Sequence, residues 1–273
     1  MATAADIASL ARRMKTAQDT VAQIAPFSAT PPGLDLDAAY AVADAVHQAR
    51  LRDGARAVGR KIGFTNPALW SVYGVHQPIW GWMYERSVAQ ARAQCGQCSL
   101  ARFAEAKIEP EIVLHFRSAP PAGDDPAAIL ACVDWVAHGF EIVQSHFAGW
   151  QFQAADTVAD GGLHGCLLVG APLSVERLGS DPLAALREFS LALYCDGQRR
   201  DAGQGSNVLG SPLAAIAHLV ALLAQQPAAT PIQAGEIITT GTLTAAWTIA
   251  AGQSWHTTLD GIALPGLRLD VVA

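Results

Sequence analysis

From residue 57 onward the chain falls into short apolar runs cut by Gly, Pro and Asp, and no helical protein can be built from such a pattern. The runs are AVGRKIGF (57–64), KIEPEIVLHF (107–116), FEIVQSHF (140–147), CLLVG (166–170), LALYC (191–195), EIITTG (236–241), SWHTTL (254–259) and LRLDVV (267–272). Their length and β-branched content predict strands. Asp196-Gly197 after LALYC predicts a hairpin. Two helices are expected to interrupt the strands. One covers 126–139, and the other covers 212–226, with Ser211 as N-cap and Pro212 at the first helical position. The first part of the chain differs. Ile7, Leu10, Met14 and Val21 recur at helical spacing, Pro31-Pro32-Gly33 makes a break, and Asp35 or Asp37 can cap a second helix through Tyr40, Val42, Val46 and Leu51. The expectation is an α+β protein, with a helical region at 1–56 and a β-rich catalytic core at 57–273, forming one structural unit.

Composition removes whole classes of function. With 51% hydrophobic and 15% charged residues, the chain is not disordered. Its net charge is −6, and no basic cluster exceeds Arg199-Arg200, which argues against nucleic acid. No run of eighteen uncharged apolar residues predicts a membrane span. The N-terminus has no secretory pattern, so a cytoplasmic protein is expected. The five cysteines show no disulfide framework, and Cys95-Gly-Gln-Cys98 lacks the second pair that zinc would need, so it is expected to be a loop. Gly203–Gly210 lacks the spacing of a phosphate loop, and neither HExxH nor GxSxG occurs. His115, His146 and His218 read as ordinary strand or helix residues.

The chemistry concentrates in residues 107–116. Read as a strand, Ile108, Pro110, Ile112, Leu114 and Phe116 share one face, and Lys107, Glu109, Glu111, Val113 and His115 share the other. The two glutamates then stand about 6–7 Å apart on one face. Glu141 is a third acid, set between apolar neighbours. Convergence of the three would cost up to about 4 kcal/mol per pair at an effective dielectric of about 20. A hard divalent cation removes that cost, and oxygen ligation selects magnesium or manganese over zinc. Without convergence they are two solvated acids and one half-buried one. Lys61, between Gly59 and Gly63, reads either as a surface lysine or as one pointing into a pocket. Asp156–Gly162 reads as a turn-rich acidic loop. Thr239–Thr242 reads as a simple turn or as amides and a hydroxyl, Thr242 among them, aimed at an anion.

Together, GRKIG (59–63), GVHQPIWG (74–81), IEPEI (108–112), FEIVQS (140–145), DTVAD (156–160), GSNVLGSPLAAIAHL (205–219) and AGEIITTGTLT (234–244) resemble the 2-hydroxypentadienoate hydratase/4-oxalocrotonate decarboxylase family of the fumarylacetoacetate hydrolase superfamily. The segments follow the family's order from about residue 35 to the end. The resemblance implies helices packed on a mixed β-sandwich roll, homo-oligomers, and a Mg2+ or Mn2+ site. It places Glu109, Glu111 and Glu141 on the metal-carboxylate positions and Lys61 on the active-site lysine. It implies a small-molecule 2-oxo acid substrate that chelates the metal through its carboxylate and 2-oxo oxygen. Hydration of a 2-hydroxy-2,4-dienoate is the activity expected. Decarboxylation of a 2-oxo-3-enedioate, or a non-catalytic partner role beside an active relative, are the alternatives. A diacid would need an extra basic residue, for which Arg60 is the candidate nearby.

One stretch departs from the family. Where members often read D-x-P-D, this chain has His76 before the proline and Ile79 after it, followed by Trp80 and Trp82. Either His76 takes over proton transfer, or Ile79, Trp80 and Trp82 wall a pocket for a bulkier, less polar tail. The second is preferred, because the three change together with the acid. The tryptophans could instead pack an oligomer contact.

Overall fold

Thr3 opens the first helix with a reciprocal cap, accepting from the Asp6 amide while Asp6 accepts from the Thr3 backbone. Asp35 caps the second through the Ala38 amide, and Arg50 and Arg52 suit the negative end of its dipole. The computed structural model describes residues 3–30, 33–67, 70–73, 75–226 and 229–273, so Pro31, Pro32 and Gly74 lie outside it. The helices are α1 Ala4–Thr20, α2 Leu36–Arg52, α3 Trp70–Tyr73, α4 Pro126–Leu130, α5 Ala154–Ala159, α6 Pro182–Glu188 and α7 Pro212–Gln225. The strands are β1 Ala57–Gly63, β2 Ile79–Tyr84, β3 Val88–Gln90, β4 Cys95–Ser99, β5 Lys107–Phe116, β6 Val133–Val143 and β7 His164–Val169. They continue with β8 Leu173–Ser174, β9 Ser190–Cys195, β10 Gln198–Gln204, β11 Ile237–Thr239, β12 Trp247–Thr248, β13 Ser254–Asp260 and β14 Arg268–Val272.

The strands make two sheets. The larger runs β2-β1-β11-β5-β6-β7-β3, with β12 added to β5 and β8 to β6, and the smaller runs β10-β9-β13-β14-β4. The larger sheet is mixed: β1 lies parallel to β11, while β5 is antiparallel to both β11 and β6. It curls until β2 touches β7, which gives it an inside and an outside. Outside, Ile108, Ile112, Leu114 and Phe116 of β5 and Phe140 and Ile142 of β6 pack with Leu191, Leu193, Trp255 and Leu269 of the small sheet. Each such side chain, fully buried, contributes about 1.5–3 kcal/mol. Inside is a small apolar cluster of Met83, Val113, Ala137, Leu167 and Val169. The polar residues of the site share that inner face. Helices α1, α2 and α5 form a third cluster around Met14, Val42, Val46 and Val158, onto which Ile79 of β2 packs.

Residues 205–225 are long and apolar enough to cross a bilayer by length and composition alone. The regular helix α7 covers only the last 14 of them, or about 21 Å. Its Leu213, Ile216, Leu219 and Leu223 are buried in the core between the sheets.

The structure corrects three expectations. The helix expected at 126–139 stops at Leu130, and Val133–Gly139 is strand, because it pairs with β5 from Phe116 back to Glu111. Cys95–Cys98 is strand rather than loop, held by parallel pairing with β14. The acidic loop expected at 156–162 is helix α5 up to Ala159, where Asp156 at the third position accepts from the Gln153 amide, and turn beyond it. The strand β10, the second arm of the hairpin expected at Asp196-Gly197, has no apolar pattern of its own. It forms because Asp196 and Gly197 both take positive φ, 51° and 77°, and fold it back on β9.

Candidate active site

The register of β5 and β6 builds the site. Glu109 stands opposite Glu141 and Glu111 opposite Gly139, so all three carboxylates enter the inside of the roll. One oxygen from each lies within 4.8 Å of the others. Glu111 and Glu141 are fully buried, and Glu109 is partly exposed. Gly139 matters here because a Cβ would press on the Val113 side chain, 2.8 Å away, beside Glu111.

Glu111 and Glu141 are each held through one oxygen. The Gly241 amide donates to Glu111 Oε2 at 2.8 Å. The turn at 239–242 therefore does aim an amide at an anion, and the anion is the protein's own. His164 Nδ1 donates to Glu141 Oε1 at 2.8 Å, and its Nε2 is engaged by the Ser87 hydroxyl at 2.9 Å. Lys61 Nζ approaches Glu141 Oε2 at 3.4 Å. Among the described residues, Glu111 Oε1 and Glu141 Oε2 have no hydrogen-bond partner, although both are buried. An unpartnered oxygen on Glu111 and one on Glu141 met only by the lysine, with a third acid within 4.8 Å, suit a hard divalent cation. The acidic cluster can bind such a metal.

Lys61 is buried, and the chain packs tightly around it. A Cβ on Gly162 would come 2.8 Å from its Cδ, and one on Gly81 would strike the Gly161 carbonyl. Gly162 also takes a φ of 73°. Burial alone would lower the lysine's pKa, but Glu141, Glu109 and Glu111 outweigh it, and the ammonium ends above its ordinary value. Burial pushes Glu109 up to about 7, with Glu141 adding and Lys61 opposing. Burial and then Glu141 push Glu111 well above the carboxylate range. Burial acts on Glu141 too, yet Lys61 and His164 overcome it and hold it below the ordinary value. One ionised acid and one charged lysine thus sit among two acids inclined to keep their protons.

The remaining expected residues separate. Ile79 is buried on the Lys61 side of β2. Both its Cγ1 and Lys61 Nζ lie near the Cα–Cβ direction of Gly63, at 3.1 and 3.5 Å from where a Cβ would stand. Trp80 and Trp82 point the other way, because alternation along β2 pairs them with Ile62 and Arg60. Trp80 stacks on Tyr40 and donates to Gln226, and Trp82 stacks on His47 at 4.4 Å. Trp80 and Trp82 therefore lie outside the roll, away from Lys61, where they line the cleft between the helices and the sheet. Arg60 lies with it, its guanidinium 4.3 Å from the Trp82 ring and 3.3 Å from Glu236, so it cannot serve a substrate beside Lys61. His76 is exposed in the loop before β2. The Thr242 hydroxyl donates to the Thr244 carbonyl within its own turn. His164 was not anticipated. Its only signal is an imidazole at the start of the strand that pairs with the one bearing Glu141.

Known proteins share this arrangement of sheets and the sequence behind it. The family description "Fumarylacetoacetate (FAA) hydrolase C-terminal" matches residues 76–266. A 2-keto-4-pentenoate hydratase of Burkholderia vietnamiensis is 32% identical over 94% of each chain. A 2-hydroxyhexa-2,4-dienoate hydratase of Comamonas testosteroni is 29% identical over 92% of each. The solved 4-oxalocrotonate decarboxylase of Pseudomonas putida G7, complexed with magnesium and adipate, has a TM-score of 0.90 at 26% identity, covering 100% of this chain and 99% of that one. Roll, carboxylate-bearing strands and sequence agree: the chain belongs to the fumarylacetoacetate hydrolase family.

Proposed function

We propose that this chain is a metal-dependent hydro-lyase that adds water to a 2-hydroxy-2,4-dienoate or 2-oxo-enoate, giving a 4-hydroxy-2-oxo acid. The observation that carries the reading is the acidic triad Glu109, Glu111 and Glu141, the last two buried, facing a buried lysine. Similarity to hydratases over more than nine-tenths of the chain supports it. The triad would hold Mg2+ or Mn2+, and the ion, when bound, supplies Lewis acidity toward the oxygens of a 2-oxo acid. Lys61 keeps its charge, and at Nζ it can bind the substrate carboxylate or pass on a proton. Glu109, poised near pH 7, can hold or release a proton at its carboxyl oxygen. Ile79, packed beside the lysine at Gly63, would be the apolar neighbour of the substrate's tail. His76, exposed in its loop, is assigned no proton-transfer role. We take the working protein to be a homo-oligomer, as the resemblance implies.

A second reading has one specific observation behind it. Lys107 is a further cation on the same strand face as the glutamates, two residues from Glu109, with its Nζ 3.8 Å from the Trp150 ring centre. It could meet the far carboxylate of a 2-oxo-enedioate, as decarboxylation of a diacid would need. Mixing the protein and Mg2+ with a panel of 2-hydroxydienoates and 2-oxo-enedioates, followed by ultraviolet absorbance, separates the two. Turnover of the monoacids supports the hydratase, turnover of diacids alone favours the decarboxylase, and no turnover of either overturns both.

A further inference from the structure

The Cys-x-x-Cys spacing at 95–98 has no function as a pair, because β4 sends its two ends to opposite sides. Cys95 Sγ lies 3.9 Å from Asp270 Oδ2 on the outer side of the small sheet. Cys98 is 5% exposed and faces the large sheet. What it meets there is another cysteine. A Cβ on Gly96 would collide with the Leu168 side chain, so β4 and β7 cross in direct contact at that point. Two residues further along β4, and two residues back along β7, Cys98 and Cys166 face this same seam, close enough for each thiol to shift the other's ionisation. Both are free thiols in the core between the sheets, and neither takes part in the proposed chemistry.

We infer that Cys98 and Cys166 form a reversible oxidation site, closing to a disulfide that clamps the two sheets together. The pair is open to a small oxidant. Cys166 is only half-buried, and its neighbour Gly165, together with Arg102 and Phe103, lines a cleft of about 1130 Å3 between the helices and the sheet. The two thiols are also unequal. The Cys166 thiol, with Arg102 nearby, draws the Cys98 thiol below its ordinary range despite burial. The oxidant is a hydroperoxide. One thiolate attacks a peroxide oxygen, the O–O bond breaks, and a sulfenic acid and hydroxide result. The second sulfur then attacks the sulfenic sulfur, the S–S bond forms, and the departing hydroxyl leaves as water with the second thiol's proton. Two thiols and one hydrogen peroxide give one disulfide and two waters. A dithiol reductant reverses the step by thiol–disulfide exchange.

The test is to treat the reduced, full-length protein with hydrogen peroxide, block remaining thiols by alkylation, and map a non-reducing digest by mass spectrometry. The thiol count, measured after denaturation, should fall from five to about three. A peptide joining Cys98 to Cys166 should appear, lighter by two hydrogens than its parts, and dithiothreitol should remove it. Cys166→Ala should give no linked peptide. A link between Cys95 and Cys98, links only between molecules, over-oxidation of Cys98 or Cys166 without a link, or no thiol loss would each overturn the inference. The wild-type map decides the question even if the variant fails to fold.

Discussion

The amide of Gly241 donates to Oε2 of Glu111, leaving Oε1 of the same carboxylate buried and without a partner. The backbone thus fixes the carboxylate's orientation, and the second oxygen is the one available to a ligand. Glu111→Gln keeps the size and an acceptor for Gly241 while removing the charge. We expect Mg2+ affinity to fall about 10-fold to 100-fold with the circular dichroism spectrum unchanged. Isothermal titration of Glu109→Gln, Glu111→Gln and Glu141→Gln checks it, and unchanged affinity in all three would refute the metal site.

Metal binding should be linked to protons. Glu109 is pushed up to about 7 and Glu111 well above the carboxylate range, so in the metal-free protein both tend to carry protons at neutral pH. A cation must displace those protons. Mg2+ affinity should therefore rise with pH through the region around 7, with proton release on binding. Titration in buffers of different ionisation enthalpy measures that release. Affinity independent of pH from 6 to 8 would contradict the assignment.

Lys61→Met keeps most of the side-chain stem and removes the charge that Glu141 meets at 3.4 Å. The expected outcome is a fall in kcat/KM of about 100-fold or more, in the range typical of lost acid–base or electrostatic catalysis. The melting temperature of the metal-loaded protein should change little. Steady-state kinetics beside a thermal melt separate the two effects.

His164 should act through Glu141. It spans from that carboxylate to the Ser87 hydroxyl, with both ring nitrogens engaged. His164→Ala should weaken metal affinity about 10-fold to 100-fold, and His164→Gln should recover part of the loss. Equal metal affinity in wild type and both variants would show that the contact does not orient the ligand.

His138 gives a pH signature in stability rather than in activity. Its Nδ1 donates to the Glu111 carbonyl and its Nε2 accepts from the Thr257 hydroxyl, which joins the large sheet to the small one. Burial pushes the imidazole down to about 4. The unfolded chain takes up a proton near 6.5, which the folded chain refuses until about 4. This contribution is therefore complete above about 6.5 and is lost as pH falls toward 4. Its loss by pH 5 is about 2 kcal/mol. Urea unfolding at pH 7 and pH 5 should show a smaller difference in His138→Asn than in wild type.

Much of this was legible in residues 107–116, because a strand buried on both faces writes its alternation into the sequence, with carboxylates on one side and branched apolar residues on the other. Glu141 was legible as an acid among apolar neighbours. The N-terminal half of β6 was not, since Val133–Gly139 carries no turn signal and takes its conformation from β5. The side on which Trp80 lies was lost with the strand itself: once 79–84 is known to be β, alternation puts Ile79 with Lys61 and Trp80 with Ile62. His164 is set by the register between β6 and β7, which no local pattern records.

The inner and outer faces of β5 answer to different demands. Its outward residues are fastened into the core between the sheets, and its inward ones hold the acids, so neither set can shift without disturbing the other. Exposed connections such as the one before β2 that holds His76 carry no such double duty. Divergence among relatives that prefer different tails should therefore collect in such connections, while the acid-bearing strands stay fixed. For a protein engineer the fold is a chassis: the substrate can be exchanged by rewriting loops, and the chemistry goes with the strand.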